Sequence, residues 1–277
     1  MKKLALIAGG GRVPVEIADY CRRVGRPLYL IRLRDMTDPA LSDFDGTDMG
    51  LGDFSLLQQT LQAEGCEAVC MVGYVKRPDF EHLDRDEAGA LILPQIAAAG
   101  RGGDDALLRQ LAAAIEAMGF SVEGAHQANP ELLLGEGRLA GPEPSASQRR
   151  DIERAADVAR AIGREDIGQG AVVVRGVVLA VEAQEGTDAM LMRVGGFSPV
   201  QRGTQQKPDG VLAKFPKPIQ DLRLDMPVIG PRTLEIAAAV GLSGIIGQAG
   251  ALLINDRAGV IETADRLGLF VIGLPPQ

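Results

Sequence analysis

Apolar residues come in short blocks divided by amphipathic stretches, and their spacing alternates between strand and helix periods. Leu4 to Ala8 is an apolar run of strand length that ends in Gly9-Gly10-Gly11. Val13, Ile17 and Tyr20-Cys21 then fall on one helical face, Gly25 supplies a stop, and Leu28 to Leu33 is a second strand run. This strand–helix–strand opening predicts a parallel sheet with helices on its faces. Phe54 to Ala63 predicts another helix and Ala68 to Val72 another strand. Helices follow over Asp86 to Ala99 and Asp104 to Met118, then a short strand over Phe120 to Glu123.

The pattern breaks at Gly135 to Ser147, where Gly141-Pro142-Glu143-Pro144 forms a turn-rich stretch. The expected organisation is an α/β domain over 1–134, a linker over 135–147 and a distinct α/β domain over 148–277. The second part opens on a charged helix from about Gln148 to Ile162. Ala171 to Val174 and Val177 to Val181 read as a hairpin joined by Arg175-Gly176. Helices over Pro231 to Val240 and Asp256 to Leu267 alternate with strands at Ile245-Ile246, Leu252 to Ile254 and Leu269 to Ile272.

Composition narrows the function. The chain has 277 residues, 46% of them hydrophobic, and a formal net charge of -8. That charge repels polyanions and argues against nucleic acid and against electrostatic docking to an anionic membrane. Aromatics are only 4% and Trp is absent, so the core must be aliphatic. Cys21, Cys66 and Cys70 read as buried free thiols, and His82 and His126 have no Cys or His neighbour that would make a zinc site. The apolar run after Met1-Lys2-Lys3 is too short for a signal peptide and no stretch spans a bilayer, so a cytoplasmic protein is expected.

Several stretches carry candidate chemistry. The glycine turn Gly9-Gly10-Gly11 between strand and helix can present backbone amides to a phosphate. A tight ligand-free turn competes with this reading. Pro14 replaces the third glycine of the dinucleotide fingerprint and no acid ends the second strand, which counts against an NAD-dependent oxidoreductase. Lys76, Arg77 and Gln95 are further phosphate or sugar contacts, against a default of solvated polar side chains.

In the second half, Glu182, Glu185 and Asp188 crowd around a glycine turn with Thr187 as a helix cap. Such oxygens suit a hard cation, and an acidic surface turn is the competing account. A proline-stiffened loop then carries Lys214, Lys217, Asp221, Arg223 and Asp225, and Gly230-Pro231-Arg232-Thr233 opens a helix whose first amides could meet an anion. Phosphoryl transfer asks for these parts: cations on phosphate oxygens, a metal and a carboxylate that positions water.

These motifs together resemble the LpxI family. The resemblance runs through Ile7-Ala8-Gly9-Gly10-Gly11, Gly102-Gly103-Asp104-Asp105, Gln169-Gly170, Ala180-Val181-Glu182-Ala183-x-Glu185-Gly186-Thr187-Asp188, and Lys214 through Lys217-Pro218-x-Gln220-Asp221-x-Arg223-x-Asp225 to Pro231. It implies hydrolysis of UDP-2,3-diacylglucosamine to UMP and 2,3-diacylglucosamine 1-phosphate (lipid X) in lipid A synthesis. It also implies a Rossmann-like first domain that binds substrate, a catalytic second domain, and Mg2+ or Mn2+.

Carried onto this sequence, it makes Asp225, Asp188, Lys214 and Lys217 catalytic candidates and Asp225, Asp188 and Glu185 metal candidates. Gly10, Gly11, Arg12, Lys76, Gln95, Gln169, Glu182, Thr187, Gln220, Asp221 and Thr233 are substrate-binding candidates. The partner implied is a diacylated UDP-sugar lipid. Transient contact with the inner face of the inner membrane is expected through apolar segments such as Met190-Leu191-Met192 and Val194 to Phe197, and a homo-oligomer stays open. A non-catalytic nucleotide-sugar sensor is the remaining alternative.

Overall fold

The computed structural model describes residues 1–76 and 78–276, so Arg77 lies outside the described residues. The chain forms two compact units. One comprises Met1–Glu131 together with Asp221–Asp225, the other Leu132–Gln220 together with Met226–Gln277.

The N-terminal unit runs β1 (Leu4–Ala8), α1 (Arg12–Val24), β2 (Leu28–Leu33), β3 (Gly46–Met49), α2 (Phe54–Ala63), β4 (Ala68–Val72), α3 (Glu87–Ala99), α4 (Asp104–Ala117), β5 (Ser121–Val122) and α5 (Ala125–Ala128). The strands form one parallel sheet in the order β3-β2-β1-β4-β5, the doubly wound arrangement of Rossmann-type folds. Ala5, Ile31, Val69 and Val122 pack with Leu57 and Leu61 of α2 and Ala112 and Ile115 of α4. Their alternates Leu4, Leu6, Leu30 and Cys70 are equally buried, as a sheet covered on both faces requires. Burial also pushes the Cys70 thiol up to about 12, which keeps it an inert core group. Gly25 ends α1 in the left-handed conformation, as the sequence predicts.

The C-terminal unit runs β6 (Gly137–Ala140), α6 (Ala146–Arg164), β7 (Gly170–Val174), β8 (Val177–Val181), α7 (Gly186–Gly195), β9 (Val211–Lys214), β10 (Val228–Ile229), α8 (Pro231–Ala239), β11 (Gly244–Gln248), β12 (Leu253–Ile254), α9 (Arg257–Leu267) and β13 (Phe270–Leu274). Its main sheet has the order β6-β13-β11-β9-β7-β8, with β13, β11 and β9 parallel and the rest antiparallel; β10 and β12 pair separately. One face packs on α6 through Ala171, Val173, Val211, Ala213 and Phe215. The other face packs on α7, α8 and α9 through Val172, Ala180, Leu212, Met190 and Leu234.

The hairpin turn has φ 50° at Arg175 and 77° at Gly176, and both amides donate to the buried Asp151 of α6 at 2.8 and 2.6 Å. Two positive φ angles match the twist of the flanking strands.

The segment 135–147 is not a linker. It contains β6, which pairs antiparallel with β13, and Gly141 is there because a Cβ would stand 1.8 Å from the Leu269 carbonyl oxygen. Its Gly and Pro mark turns inside the domain. Residues 221–225 cross the other way and belong to the N-terminal unit. No helix among the described residues is long and apolar enough to cross a membrane.

Candidate functional site

In the C-terminal unit the polar residues lie where the core pattern runs off the sheet. Strand alternation places Glu182 two residues beyond Ala180, Gly170 two residues before Val172 and Lys214 two residues beyond Leu212, all on the face that packs on α7–α9. Glu182 N–H donates to the Gly170 carbonyl at 2.8 Å, and Gly170 is in register with Lys214. Glu182, Gly170 and Lys214 therefore form one row across β8, β7 and β9. The row sits at the carboxyl end of β9, the edge at which open α/β sheets bind ligands.

Gly170 makes the row work. A Cβ there would lie 2.4 Å from Glu182 Oε2 and 3.3 Å from Met190 Cε. Glu182 thus lies over the glycine, where any larger residue would exclude it. Both charged groups are buried: Glu182 is 5% exposed and Lys214 8%. Thr187 Oγ1 donates to Glu182 Oε1 at 3.0 Å, while Oε2 accepts no hydrogen bond among the described residues. Burial pushes the Glu182 carboxyl above its ordinary value, against the nearby Lys214 ammonium and the Thr187 bond, which pull it down. Lys214 Nζ donates to the Val228 carbonyl at 3.0 Å.

Beyond β9 the chain turns through Phe215-Pro216-Lys217-Pro218. Lys217 Nζ bonds Asp166 Oδ1 at 2.7 Å, and the buried Gln220 side chain accepts from Lys217 N–H at 3.2 Å. Thr233 Oγ1 accepts from Gly230 N–H at 3.5 Å at the start of α8.

In the N-terminal unit the glycine turn is tied to the end of β4. Gly9 N–H donates to Val72 at 2.9 Å, and Gly10 and Tyr74 exchange two 2.8 Å backbone bonds. Gly11 precedes α1 at φ 92°, a conformation that disfavours a side chain. The Asp221–Asp225 segment docks on the same unit. Arg223 pairs with Asp221 at 2.8 Å and with Glu116 of α4 at 2.9 Å, and Leu224 packs on the core. A Cβ at Gly124 would stand 2.8 Å from Arg223 Cα, so the close approach depends on glycine there. The Arg223 bonds hold the Asp221 carboxyl below its ordinary value. His126 beside it is lowered by burial and raised, more weakly, by Asp221.

Comparison with known proteins gives this architecture a family. The LpxI N-terminal domain matches residues 3–132 and the LpxI C-terminal domain residues 135–272. The chain belongs to the LpxI family. A family member from Caulobacter vibrioides, named UDP-2,3-diacylglucosamine pyrophosphatase LpxI, is 52% identical over 277 residues, covering 100% of this chain and 99% of that protein. Among solved structures, Bordetella bronchiseptica WbmH in complex with NAD+ has a TM-score of 0.28 at 16% identity, over 43% of this chain and 36% of that one. A CobK precorrin-6A reductase has 0.29 at 12% identity, over 100% and 89%. Likeness at this level has no bearing on chemistry.

Set on this LpxI-family fold, the residues expected from sequence divide into three groups. Glu182, Thr187 and Lys214 come together in the row, with Lys217 and Gln220 on the turn that follows β9. The exposed Asp225 and the Arg223-bound Asp221 share the segment carried by the N-terminal unit. Several others are engaged elsewhere. Gln95 bonds Leu91 O at 3.2 Å and Gln110 at 3.5 Å on the helical side of its unit, Lys76 is exposed, and the Gly10 amide is spent on Tyr74 rather than held for a phosphate. Gln169 precedes β7, and its buried Oε1 has no hydrogen-bond partner among the described residues.

Three expectations need correction. Lys214 is the last residue of a buried strand, not part of a loop, because Val211-Leu212-Ala213 fills both faces of the sheet. Thr187 does not cap α7; its hydroxyl turns back to Glu182. Met190, Leu191 and Val194 do not line a groove, since all three are at 0% exposure in the core.

The three metal candidates divide between the two units, Glu185 and Asp188 on the second and Asp225 on the first. Glu185 accepts from backbone N–H groups, its own and that of Ala183, and from Arg193 at 2.7 Å, which together hold its carboxyl below the ordinary value. Asp188 pairs with Arg232 at 3.3 Å. Asp225 belongs to the N-terminal unit, and no three His, Cys, Asp or Glu side chains gather as a cation cage among the described residues. Glu185 and Asp188 as they stand do not fit a metal site. Gly170, quoted from the sequence only as part of the Gln169-Gly170 motif, stands in register opposite Lys214, a relation that strand pairing alone reveals.

Proposed function

We propose that this chain is a pyrophosphatase that hydrolyses UDP-2,3-diacylglucosamine to UMP and 2,3-diacylglucosamine 1-phosphate. The observation that carries the reading is the full-length identity of 52% to a relative with that activity in its name. The Glu182–Gly170–Lys214 row supports it, because a buried ammonium at a sheet's carboxyl edge is suited to a phosphate oxygen. In the reaction a water oxygen bonds to phosphorus, the bridging P–O bond breaks, and the leaving phosphate takes the electron pair. Lys214 and Lys217 balance charge on the pyrophosphate. Glu182 sets the Lys214 ammonium against its own carboxyl. Asp225 positions the water or accepts its proton.

The reading includes Mg2+ or Mn2+, which when bound would neutralise pyrophosphate oxygens. Mg2+ ordinarily takes one or two carboxylates, phosphate oxygens and water rather than a complete protein cage. Asp225 is the carboxylate proposed for it, and the roles given above are those of the protein's own side chains. The acyl chains require apolar protein or membrane surface, at about 0.8 kcal/mol per buried methylene. Exposed Met192 and Ile219 of the C-terminal unit are the proposed contacts, in place of Met190.

The test is UMP release by pure protein, with Asp225→Ala as control and its fold checked by circular dichroism. Turnover lost in the folded variant supports the reading. Normal turnover in it removes Asp225 from the mechanism, and a silent wild type leaves binding without catalysis.

A further inference from the structure

The Asp221–Asp225 segment carries an arrangement that the reaction alone does not explain. Asp221 accepts from Arg223 three times through side-chain nitrogens, at 2.8, 3.1 and 3.2 Å, and from Arg223 N–H at 3.0 Å. Its backbone carbonyl accepts from Leu224 N–H at 2.8 Å and Asp225 N–H at 3.1 Å. One aspartate therefore winds the turn that ends in Asp225. Arg223 then reaches away from the turn to Glu116 on α4 at 2.9 Å. Leu224 packs on the N-terminal core, and Gly124 has no side chain to hold the backbone off. These contacts fix a short, irregular segment in one place.

Their exposure matters. The Arg223 and Glu116 side chains are 39% and 45% exposed, so their ion pair adds little to global stability. A bidentate, planar guanidinium bonded on two sides nevertheless defines a geometry that a flexible ammonium does not. Arg223 has the form of a locating device rather than a stabilising one.

We infer that Arg223 is a positioning residue, anchored on Glu116 and Asp221, that holds the turn so that the Asp225 carboxylate is fixed where the reaction needs it. The inference rests on the role proposed for Asp225. It accounts for why the chain returns a five-residue segment to the first unit. Misplacing a catalytic group by about 1 Å can cost roughly 10²-fold in rate.

The experiment compares wild type, Arg223→Gln, Arg223→Lys, Glu116→Gln, Asp225→Asn and the double variant Arg223→Gln/Asp225→Asn. It measures kcat and KM for UMP release, amide hydrogen exchange across 221–225, and thermal midpoint. Arg223→Gln should lower kcat by roughly 10²-fold with KM within a few-fold and a nearly unchanged midpoint. Exchange in the turn should speed up. Arg223→Lys should recover part of the rate, and Glu116→Gln should shift both readouts the same way by less. The double variant should be no slower than Asp225→Asn alone.

A fall in kcat with unchanged exchange would overturn the inference, because Arg223 would then act on substrate directly. Faster exchange with unchanged kcat would also overturn it. If Arg223→Gln does not fold, Glu116→Gln supplies the same two readouts. A wild type with no UMP release defeats the pyrophosphatase reading, and unaltered exchange in Arg223→Gln then defeats the clamp separately.

Discussion

The Glu182 carboxylate occupies the space that a side chain at residue 170 would fill, with Oε2 2.4 Å from the position of a Cβ there. A strand glycine is usually a weakness, since it packs nothing and costs backbone entropy. Here it lets a carboxylate from the neighbouring strand lie across the sheet toward Lys214. Gly170→Ala should therefore harm activity more than folding, because the atom in the way is the end of a flexible side chain. We expect kcat/KM to fall at least about tenfold while stability drops by about 1–3 kcal/mol. Urea unfolding alongside UMP release separates the two effects. Unchanged kcat/KM would show that the placement of Glu182 is immaterial.

Glu182→Gln should change how stability depends on pH. The folded carboxyl titrates above its ordinary value of 4.5, so the native state holds its proton more tightly than the unfolded chain does. Its contribution is intact below 4.5 and is lost as pH rises through the folded value. Wild type should therefore lose stability relative to Glu182→Gln across that window. Denaturant midpoints measured from acid to neutral pH read the difference directly. Parallel curves would mean that the carboxyl is not perturbed.

The two lysines should separate. Lys214 is buried, and replacing it with Met leaves Glu182 in the core without its positive neighbour, at a cost of about 3–5 kcal/mol. Lys217 pairs with the half-exposed Asp166, and Lys217→Met should cost under about 1 kcal/mol. Both should lower UMP release if both serve the pyrophosphate. Equal stability losses would contradict the assigned burial, and full activity in Lys217→Met would remove it from the site.

Chelation tests the metal independently. Treating the protein with EDTA should abolish UMP release, and returning Mg2+ or Mn2+ should restore it. The thermal midpoint should barely move, because no metal cage gathers among the described residues. Activity that survives exhaustive chelation would leave the lysines to carry the charge alone.

The diacyl groups should matter to recognition. Hydrolysis of the diacyl substrate should exceed that of its deacylated analogue in kcat/KM, and Met192→Ser and Ile219→Ser should narrow the gap by raising KM. Equal specificity constants for the two substrates would mean that the acyl chains go unread.

The regular elements were legible in the sequence because their signals are local. The runs Leu4 to Ala8 and Leu28 to Leu33, the stop at Gly25 and the Arg175-Gly176 turn all appear where their periodicity and φ requirements put them. β3, with the sequence Gly-Thr-Asp-Met, was not legible; it is a strand only because β2 pairs with it. β9 was hidden by the prolines that follow it, which made a buried strand read as the start of a loop. Lys214 and Glu182 were found as residues but not as neighbours, since their relation depends on strand register through Gly170. The return of Asp221–Asp225 to the first unit has no local signal at all.

The central claim is the reaction itself, and phosphorus NMR of the product mixture tests it most directly. Pure protein incubated with UDP-2,3-diacylglucosamine and Mg2+ should replace the two pyrophosphate resonances with two phosphomonoester resonances of equal intensity. These should match UMP and 2,3-diacylglucosamine 1-phosphate, and Asp225→Ala should leave the pyrophosphate intact. Persistent pyrophosphate resonances with folded wild-type protein, or UDP as the product, would contradict the account.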